Sequence, residues 1–172
     1  MTPRKKNSCC SYCGHAFTEA QSWPRTCGSC STISYVNPLP VAVALLPVDG
    51  GILCVRRTIE PARGKLALPG GFLELHETWE QGCARELREE TGVAIDASEV
   101  RLFRVYSAAR EGLLLIFGLA RPRRAAELPE FLANEEASEM LVLPGPVELA
   151  FPLHTLVLAE YFQGGRAYNE AH

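Results

Sequence analysis

Long apolar runs, a secretion signal and a surplus of positive charge are all missing from this sequence of 172 residues. Its longest apolar run, from Leu113 to about Ala120, is far shorter than the ~20 residues that cross a bilayer, which excludes a membrane span. The N-terminal segment lacks the apolar stretch of a secretory signal, so a reducing, cytoplasmic location is expected. A net charge of −3 offers no general attraction for nucleic acid, so nucleic acid is not an expected partner.

The composition is that of an ordinary globular chain, with 47% hydrophobic and 22% charged residues. It is uneven along the chain, because the first 40 residues hold five of the seven cysteines and an excess of positive charge. This shift predicts a small N-terminal module over residues 1–38 and a larger domain over residues 39–172.

Four of those cysteines form two C-x2-C pairs, Cys10 with Cys13 and Cys27 with Cys30. Two intervening residues let one tight turn direct both thiolates at one ion, and two such turns complete a tetrahedral S4 site. Because a reducing compartment disfavours disulfides, the pattern predicts a zinc ribbon with one structural Zn²⁺. Cys9 is expected to be a spare thiol, with the alternative that it replaces Cys10 as a ligand.

The larger domain mixes apolar strand patterns with two helical patterns, which predicts an α+β fold. Val41–Leu46 and Ile52–Val55 are expected to pair as a hairpin around the turn Asp49-Gly50-Gly51. The further predicted strands are Leu66–Leu68, Val100–Ser107, Leu113–Ala120 and Met140–Leu143. The predicted helices run from the N-cap Thr78 to Thr91 and from Pro146 to Gly164-Gly165.

The first of these helices carries an acidic face. At 100° per residue Glu86, Glu89 and Glu90 share one side, next to an apolar stripe that must pack on a sheet. Like charges at these spacings destabilise a helix, and Mg²⁺ or Mn²⁺ would offset the repulsion through carboxylate oxygens. On the helix alone, a solvated face neutralised by Arg85 and Arg88 is the alternative interpretation.

The wider spacing decides between the two interpretations. Gly71, Glu77 and the run from Arg85 to Val93 fill every position of G-x5-E-x7-R-E-U-x-E-E-x-G-U, where U is a large apolar residue. This pattern resembles the signature of the Nudix hydrolase superfamily. The resemblance extends over about residues 41–163 and implies an α/β/α sandwich with a mixed sheet. It also implies metal-dependent hydrolysis of a nucleoside diphosphate linked to another group.

The resemblance further implies roles for individual residues. The glutamates that match the family's metal ligands are Glu86, Glu89 and Glu90. The carbonyl of Gly70 resembles the backbone ligand beside them, and Arg85 with Glu77 resembles an internal ion pair, so Arg85 is placed with the catalytic residues. Glu86 is also a candidate for orienting or deprotonating the attacking water.

A further acidic residue is expected from a loop outside the motif. The dense acidic segment 134–139 is the candidate, with Glu136 favoured as the catalytic base and Glu135 and Glu139 as alternatives. Arg57, Tyr106 and Phe72 are the candidate substrate contacts, although aromatic residues in strands usually belong to the core.

The cysteine pairs ahead of the motif resemble two Nudix groups, the NADH pyrophosphatases and the zinc-ribbon relatives of ADP-ribose/FAD pyrophosphatases. The stretch Arg101–Arg110 lacks the Ser-Gln-Pro-Trp-like segment of the first group, which favours an ADP-ribose or FAD type of substrate. The alternatives are an NADH pyrophosphatase, a capped-RNA hydrolase and a non-catalytic module that binds nucleotides or nucleic acid. The family also implies a homodimer.

Overall fold

The computed structural model describes residues 5–18 and 20–165. The chain divides into two compact units, Met1–Pro38 and Leu39–His172. The outer ends of the two predicted domains, residues 1–4 and 166–172, lie outside the described residues. In the first unit, the antiparallel strands β1 (Arg25–Thr26) and β2 (Ile33–Ser34) form a short hairpin.

The second unit contains eight further strands and two α-helices among the described residues. The strands are β3 (Leu39–Leu45), β4 (Pro47–Val48), β5 (Gly51–Arg57), β6 (Leu66–Ala67), β7 (Gly70–Phe72), β8 (Val100–Ala108), β9 (Leu113–Ala120) and β10 (Ala137–Leu143). The helices are α1 (Trp79–Thr91) and α2 (Pro152–Glu160).

These strands form two sheets. One sheet has the order β7-β3-β9-β8, in which β3 and β9 run parallel and the other pairs are antiparallel. The other sheet has the order β10-β5-β4, with β6 also pairing with β5. A mixed sheet combined with few helices confirms the predicted α+β class.

Strand β3 is buried on both faces, and its residues alternate between two apolar clusters. Val43 and Leu45 belong to a cluster that includes residues of β5, β9 and α2. Ala42 and Ala44 belong to a second cluster that includes Cys83 and Leu87 of α1. Because successive strand residues point to opposite faces, one sheet serves as a packing surface on each side.

Helix α1 has the bounds that its sequence predicts. The hydroxyl of Thr78 accepts a hydrogen bond from the N–H of Gln81, and the Gln81 side chain accepts one from the Thr78 N–H. Gly92 ends the helix in the left-handed region at φ 76°, a conformation that glycine adopts without steric cost. These caps fix where the acidic face begins and ends.

The predicted hairpin is wrong in its first strand. The turn at Asp49 and Gly50 is present, with φ of 46° and 84°, but it joins β5 to the short strand β4 and not to β3. Strand β3 ends at Leu45, and Pro47, two residues later, offers no N–H for continued pairing, so the chain passes there to the other sheet. A continuous apolar run does not reveal such a change of sheet.

The last helix begins later than predicted, at Pro152 and not at Pro146. A proline inside a helix lacks the N–H and clashes with the preceding turn, so Pro152 is tolerated only in the first turn. The preceding segment forms other contacts, because the N–H of Ala150 donates to the carbonyl of Leu66 at 2.6 Å.

His154 of α2 is buried between aromatic rings. Its Nδ1 accepts a hydrogen bond from the N–H of Leu68 at 3.3 Å, and its ring meets Phe117 and Phe151 edge to face. Burial, together with the charge of Arg57, lowers the pKa of His154 to about 3. The folded protein therefore holds this imidazole neutral over the whole neutral and mildly acidic range.

We expect acid to destabilise the fold through His154. The unfolded chain binds a proton at this site near pH 6.5 and the folded chain only near pH 3, so stability is lost as the pH falls between these values. The free energy of unfolding, measured by urea titration, should fall by up to about 1.4 kcal/mol per pH unit from this group.

The matched control is His154→Asn, whose side-chain oxygen is suited to accept the Leu68 N–H but cannot bind a proton in this range. Its unfolding free energy should depend less steeply on pH between 6.5 and 3. If the unfolding free energies of the wild type and His154→Asn change equally with pH, His154 is not the acid-sensitive group.

Candidate active site and metal centres

The acidic face of α1 contacts strand β7 through two carboxylates. Glu86 and Glu90 lie one turn apart on the same side as the buried Leu87, and they are only 7% and 6% exposed. A Cβ atom added to Gly71 would lie 2.4 Å from Oε1 of Glu86, so only glycine leaves room for this carboxylate. The first glycine of the motif thus creates the space that the glutamate occupies.

A third carboxylate reaches the same place from a distant segment. One oxygen each of Glu86, Glu90 and Glu136 lies within 4.8 Å of the others, and we call these three residues the carboxylate cluster. Glu136 immediately precedes β10 and is exposed, whereas the other two are buried. Helical periodicity could not reveal this residue, but the density of acidic residues in 134–139 did single out its segment.

The two buried members of the cluster, Glu86 and Glu90, hold their protons more tightly than isolated carboxylates, because the pKa of each is raised. Burial raises the pKa of Glu90 to about 8, with Glu86 and Glu136 adding to the effect, although the Gly70 N–H at 3.5 Å from Oε1 opposes it. Burial also raises the pKa of Glu86, against the opposing charge of Arg85. A divalent cation would compensate both the burial and the mutual repulsion.

Arg85 joins the loop of the motif to the helix. Its guanidinium donates to both oxygens of Glu77 at 3.0 and 2.8 Å, to Oε1 of Glu86 at 2.6 Å and to Oε2 of Glu89 at 3.1 Å. It also donates to the carbonyl of Phe72 at 3.0 Å. The ion pair between Arg85 and Glu77 that the motif implies is therefore present, and it lowers the pKa of Glu77.

Glu89 does not join the carboxylate cluster. Its side chain is 50% exposed, and its carboxylate is bound by Arg85. The alternatives to Glu136 are also placed elsewhere, because Glu139 pairs with Nε of Arg56 at 2.7 Å. Glu135 contributes its backbone carbonyl, which accepts from the Thr58 hydroxyl.

The predicted substrate contacts lie in three different environments. Arg57 stacks over the ring of Phe151 at 5.1 Å, donates from Nε to the carbonyl of Pro61 and lies close enough to influence Glu90. Phe72 follows Gly71 and is 57% exposed. Tyr106 is engaged in the fold, since its hydroxyl donates to Glu160 at 2.6 Å and its ring packs against Phe117.

The N-terminal unit holds a separate group of four thiols. The Sγ atoms of Cys10, Cys13, Cys27 and Cys30 lie within 4.8 Å of one another. Cys10 and Cys30 are 3.7 Å apart and Cys13 and Cys27 are 3.6 Å apart, close to the ~3.8 Å that tetrahedral bonds of ~2.3 Å to one ion impose. Cys9 lies outside this group.

The family model of the NUDIX domain matches residues 37–141, more than half of the chain. The chain belongs to the Nudix family. A MutT-like protein of Streptomyces ambofaciens is 34% identical over 113 residues, which are 62% of this chain and 70% of that protein. A Nudix hydrolase structure from Nitrosomonas europaea matches 96% of each chain at 28% identity with a TM-score of 0.77.

Two named enzymes are similar over shorter stretches. The ADP-ribose pyrophosphatase of Methanocaldococcus jannaschii is 41% identical over 59 residues, 34% of this chain and 35% of that protein. The NAD-capped RNA hydrolase NudC of Klebsiella pneumoniae is 33% identical over 87 residues, 50% of this chain and 34% of that protein. This Nudix chain thus spans about a third of the length of each.

One solved structure contains a nucleotide and a metal. The bifunctional NMN adenylyltransferase/ADP-ribose pyrophosphatase of Francisella tularensis, complexed with AMP and a Mn ion, is 30% identical with a TM-score of 0.53. The match covers 63% of this chain and 34% of that one. The family and these pyrophosphatase and hydrolase relatives confirm the predicted enzyme class, a Nudix pyrophosphohydrolase.

Within the described residues, no helix has both the length and the apolar character needed to cross a membrane.

We expect the metal-free protein to lose stability as the pH rises from about 4.5 to about 8. The folded state keeps the proton of Glu90 up to about pH 8, whereas the unfolded chain releases it near pH 4.5. The stabilisation that this proton provides therefore fades between these values, by up to about 1.4 kcal/mol per pH unit. The melting temperature of the wild type should fall over this pH range. That of Glu90→Gln should fall less, because glutamine cannot ionise.

Adding Mn²⁺ should raise the melting temperature of the wild type more at pH 8 than at pH 6, because the ion binds the ionised carboxylates. The protein is freed of Mg²⁺ and Mn²⁺ by dialysis without strong chelators, so that an ion held by the cysteines is retained. A Mn²⁺ effect that is independent of pH, or equal in Glu90→Gln, would contradict this assignment.

Proposed function

We propose that this chain hydrolyses the pyrophosphate bond of a nucleoside diphosphate derivative of the ADP-ribose or FAD type, in a reaction that requires Mg²⁺ or Mn²⁺. The observation that carries the proposal is the carboxylate cluster, in which Glu86, Glu90 and Glu136 converge within 4.8 Å. The named ADP-ribose pyrophosphatase relative supports the choice of substrate class.

The residues of the cluster fit a hard divalent cation. All three offer carboxylate oxygens, the ligands that Mg²⁺ and Mn²⁺ prefer. Two of them are buried, and of these two only Glu86 forms an ion pair within the described residues. Gly70 lies beside Glu90, with which its N–H forms a hydrogen bond, and its carbonyl is the proposed backbone ligand. When bound, the ion would neutralise charge on the pyrophosphate oxygens and polarise the phosphorus.

Each protein group then has a defined task. Arg85 orients Glu86 and ties the loop of the motif to α1, which makes it a positioning residue more than a direct participant. Glu136 is the cluster member that solvent reaches, so its carboxylate is the proposed acceptor of the proton from the attacking water. Glu89, held by Arg85 at the exposed edge, is assigned a supporting role as an outer ligand.

Arg57 and Phe72 are the proposed contacts to the substrate. The charge of Arg57 influences Glu90, and of its three guanidinium nitrogens only Nε donates a hydrogen bond within the described residues. Its terminal nitrogens are therefore available to a phosphate oxygen. The exposed ring of Phe72 is suited to stack on a base, whereas the contacts of Tyr106 support packing within the fold.

A second candidate substrate is a dinucleotide of the NAD type. The similarity to NudC favours it, although the match covers only a third of that protein. Both substrate types present the same pyrophosphate to the carboxylate cluster, so the remainder of the substrate distinguishes them.

The first experiment is a substrate panel with Mg²⁺ and with Mn²⁺, read out by released AMP. It contains ADP-ribose, FAD, NADH, coenzyme A, dinucleoside polyphosphates and nucleoside triphosphates. We expect the highest kcat/KM for ADP-ribose or FAD. NADH as the best substrate would favour the second candidate, and no hydrolysis of any compound would reject both.

Glu90→Gln tests the cluster directly. The change keeps the size of the side chain but removes the charge, so kcat should fall about 10²-fold or more with the fold intact. Glu80→Gln, on the same helix but outside the motif, should retain nearly full activity. If the two variants hydrolyse the best substrate equally well, the acidic face is ordinary surface.

We also propose that residues 1–38 form a zinc ribbon and residues 39–172 the Nudix hydrolase domain. The four thiols of the N-terminal unit fit Zn²⁺ in number, type and spacing. Four protein ligands leave no open position, so the ion would stabilise the unit without taking part in turnover. Homodimer formation stays a prediction, supported by the exposed apolar residues Leu102 and Val105 on the outer strand β8.

Metal analysis of protein purified without chelator should find about one Zn²⁺ per chain. Cys27→Ser should lose the ion because a thiolate ligand is removed, and Cys9→Ser should keep it because Cys9 lies outside the group. Less than half an equivalent in the wild type, or equal loss in both variants, would reject this zinc site.

A further inference from the structure

One side chain, that of Asn134, links the loop bearing Glu136 to the end of helix α1. Its Nδ2 donates to the carbonyls of Glu89 at 3.1 Å and Glu90 at 3.2 Å. Its Oδ1 accepts from the N–H groups of Glu136 at 2.9 Å and Ala137 at 2.8 Å. Both donors and both acceptor positions of the carboxamide are thereby used.

The helix side of this link satisfies groups that helices leave unpaired. The last carbonyls of an α-helix have no N–H partner within the helix, and Glu89 and Glu90 stand in the last turn of α1. The loop side similarly satisfies the N–H groups of Glu136 and of Ala137, the first residue of β10. Only a carboxamide offers donors to one partner and an acceptor to the other in the same short side chain.

The peptide groups on both sides of Glu136 are held. Asn134 accepts from its N–H, and the N–H of Thr58 donates to its carbonyl at 2.9 Å. The Thr58 hydroxyl also donates to the carbonyl of Glu135. With the backbone fixed from two directions, the Cα–Cβ bond of Glu136 has a set direction, and from it the carboxylate reaches Glu86 and Glu90.

We propose that Asn134 is a positioning residue for hydrolysis, which sets the carboxylate of Glu136 against Glu86 and Glu90 by fastening its loop to the last turn of α1. This inference rests on the proposed function, because that function gives Glu136 its task. Asn134 acts through Glu136, since its own polar atoms are engaged by backbone groups. If a catalytic base or a metal ligand is misplaced, kcat falls more than KM rises.

The test is a double-mutant cycle of Asn134→Ala and Glu136→Gln, with ADP-ribose or the best substrate of the panel. In the wild-type background, Asn134→Ala should lower kcat about tenfold and change KM less than about twofold. In the Glu136→Gln background, the same change should cost less than about twofold, because the group that Asn134 positions is already disabled. Glu130→Gln, an exposed carboxylate in the preceding segment, is the control for Glu136→Gln.

Calorimetric titration with Mn²⁺ provides a readout that does not depend on activity. Asn134→Ala should weaken Mn²⁺ binding several-fold when Glu136 is present and have little effect in Glu136→Gln. Should Asn134→Ala unfold, Asn134→Asp keeps the size and the acceptor atoms but loses the donors to the helix carbonyls, and it should change kcat in the same direction.

Equal losses for Asn134→Ala in the two backgrounds, or an unchanged kcat and Mn²⁺ affinity, would overturn the positioning role. These outcomes leave the proposed function standing, because the wild type would still bind Mn²⁺ and hydrolyse substrate. A wild type that does neither rejects the proposed function itself, and with it this inference.

Discussion

The structure around the site depends on the burial of two acidic side chains. Glu86 and Glu90 lie one helical turn apart against β7 and are almost fully removed from water. Desolvation and repulsion both disfavour their ionised forms, as their raised pKa values show. A fold retains such an arrangement only where neighbouring groups or a bound cation compensate for it.

The neighbouring groups compensate in different ways. Arg85 supplies the positive charge for Glu86. The same guanidinium also donates hydrogen bonds to Glu77, Glu89 and the carbonyl of Phe72, so it connects the loop of the motif to the helix. Glu90 has only the N–H of Gly70 as a hydrogen-bond donor within the described residues. A bound cation would therefore stabilise the ionised form of Glu90 more than that of the other cluster members.

Local sequence patterns predicted the bounds of an element correctly where residues at its own ends determine those bounds. The bounds of α1 follow from a capping box at Thr78 and a glycine at residue 92, and the structure places the helix between them. The predictions of the hairpin and of the start of the last helix were wrong, because strand pairing and the helix start depend on contacts with residues distant in the sequence. Strand β3 ends at Leu45 and the chain continues at Pro47 in the other sheet. Ala150, before Pro152, donates its N–H to the carbonyl of Leu66 and does not extend α2.

The sequence by itself determined the family, the acidic face of α1 and the four cysteines, because these reside in spacing along a short stretch of chain. Only the tertiary structure decided which carboxylates meet. Helical geometry places Glu89 and Glu90 on one face equally well, but packing against β7 buries Glu90 and leaves Glu89 exposed beside Arg85. Glu136 joins from a distant loop through the hydrogen bonds of Asn134, a contact between remote segments that periodicity does not encode.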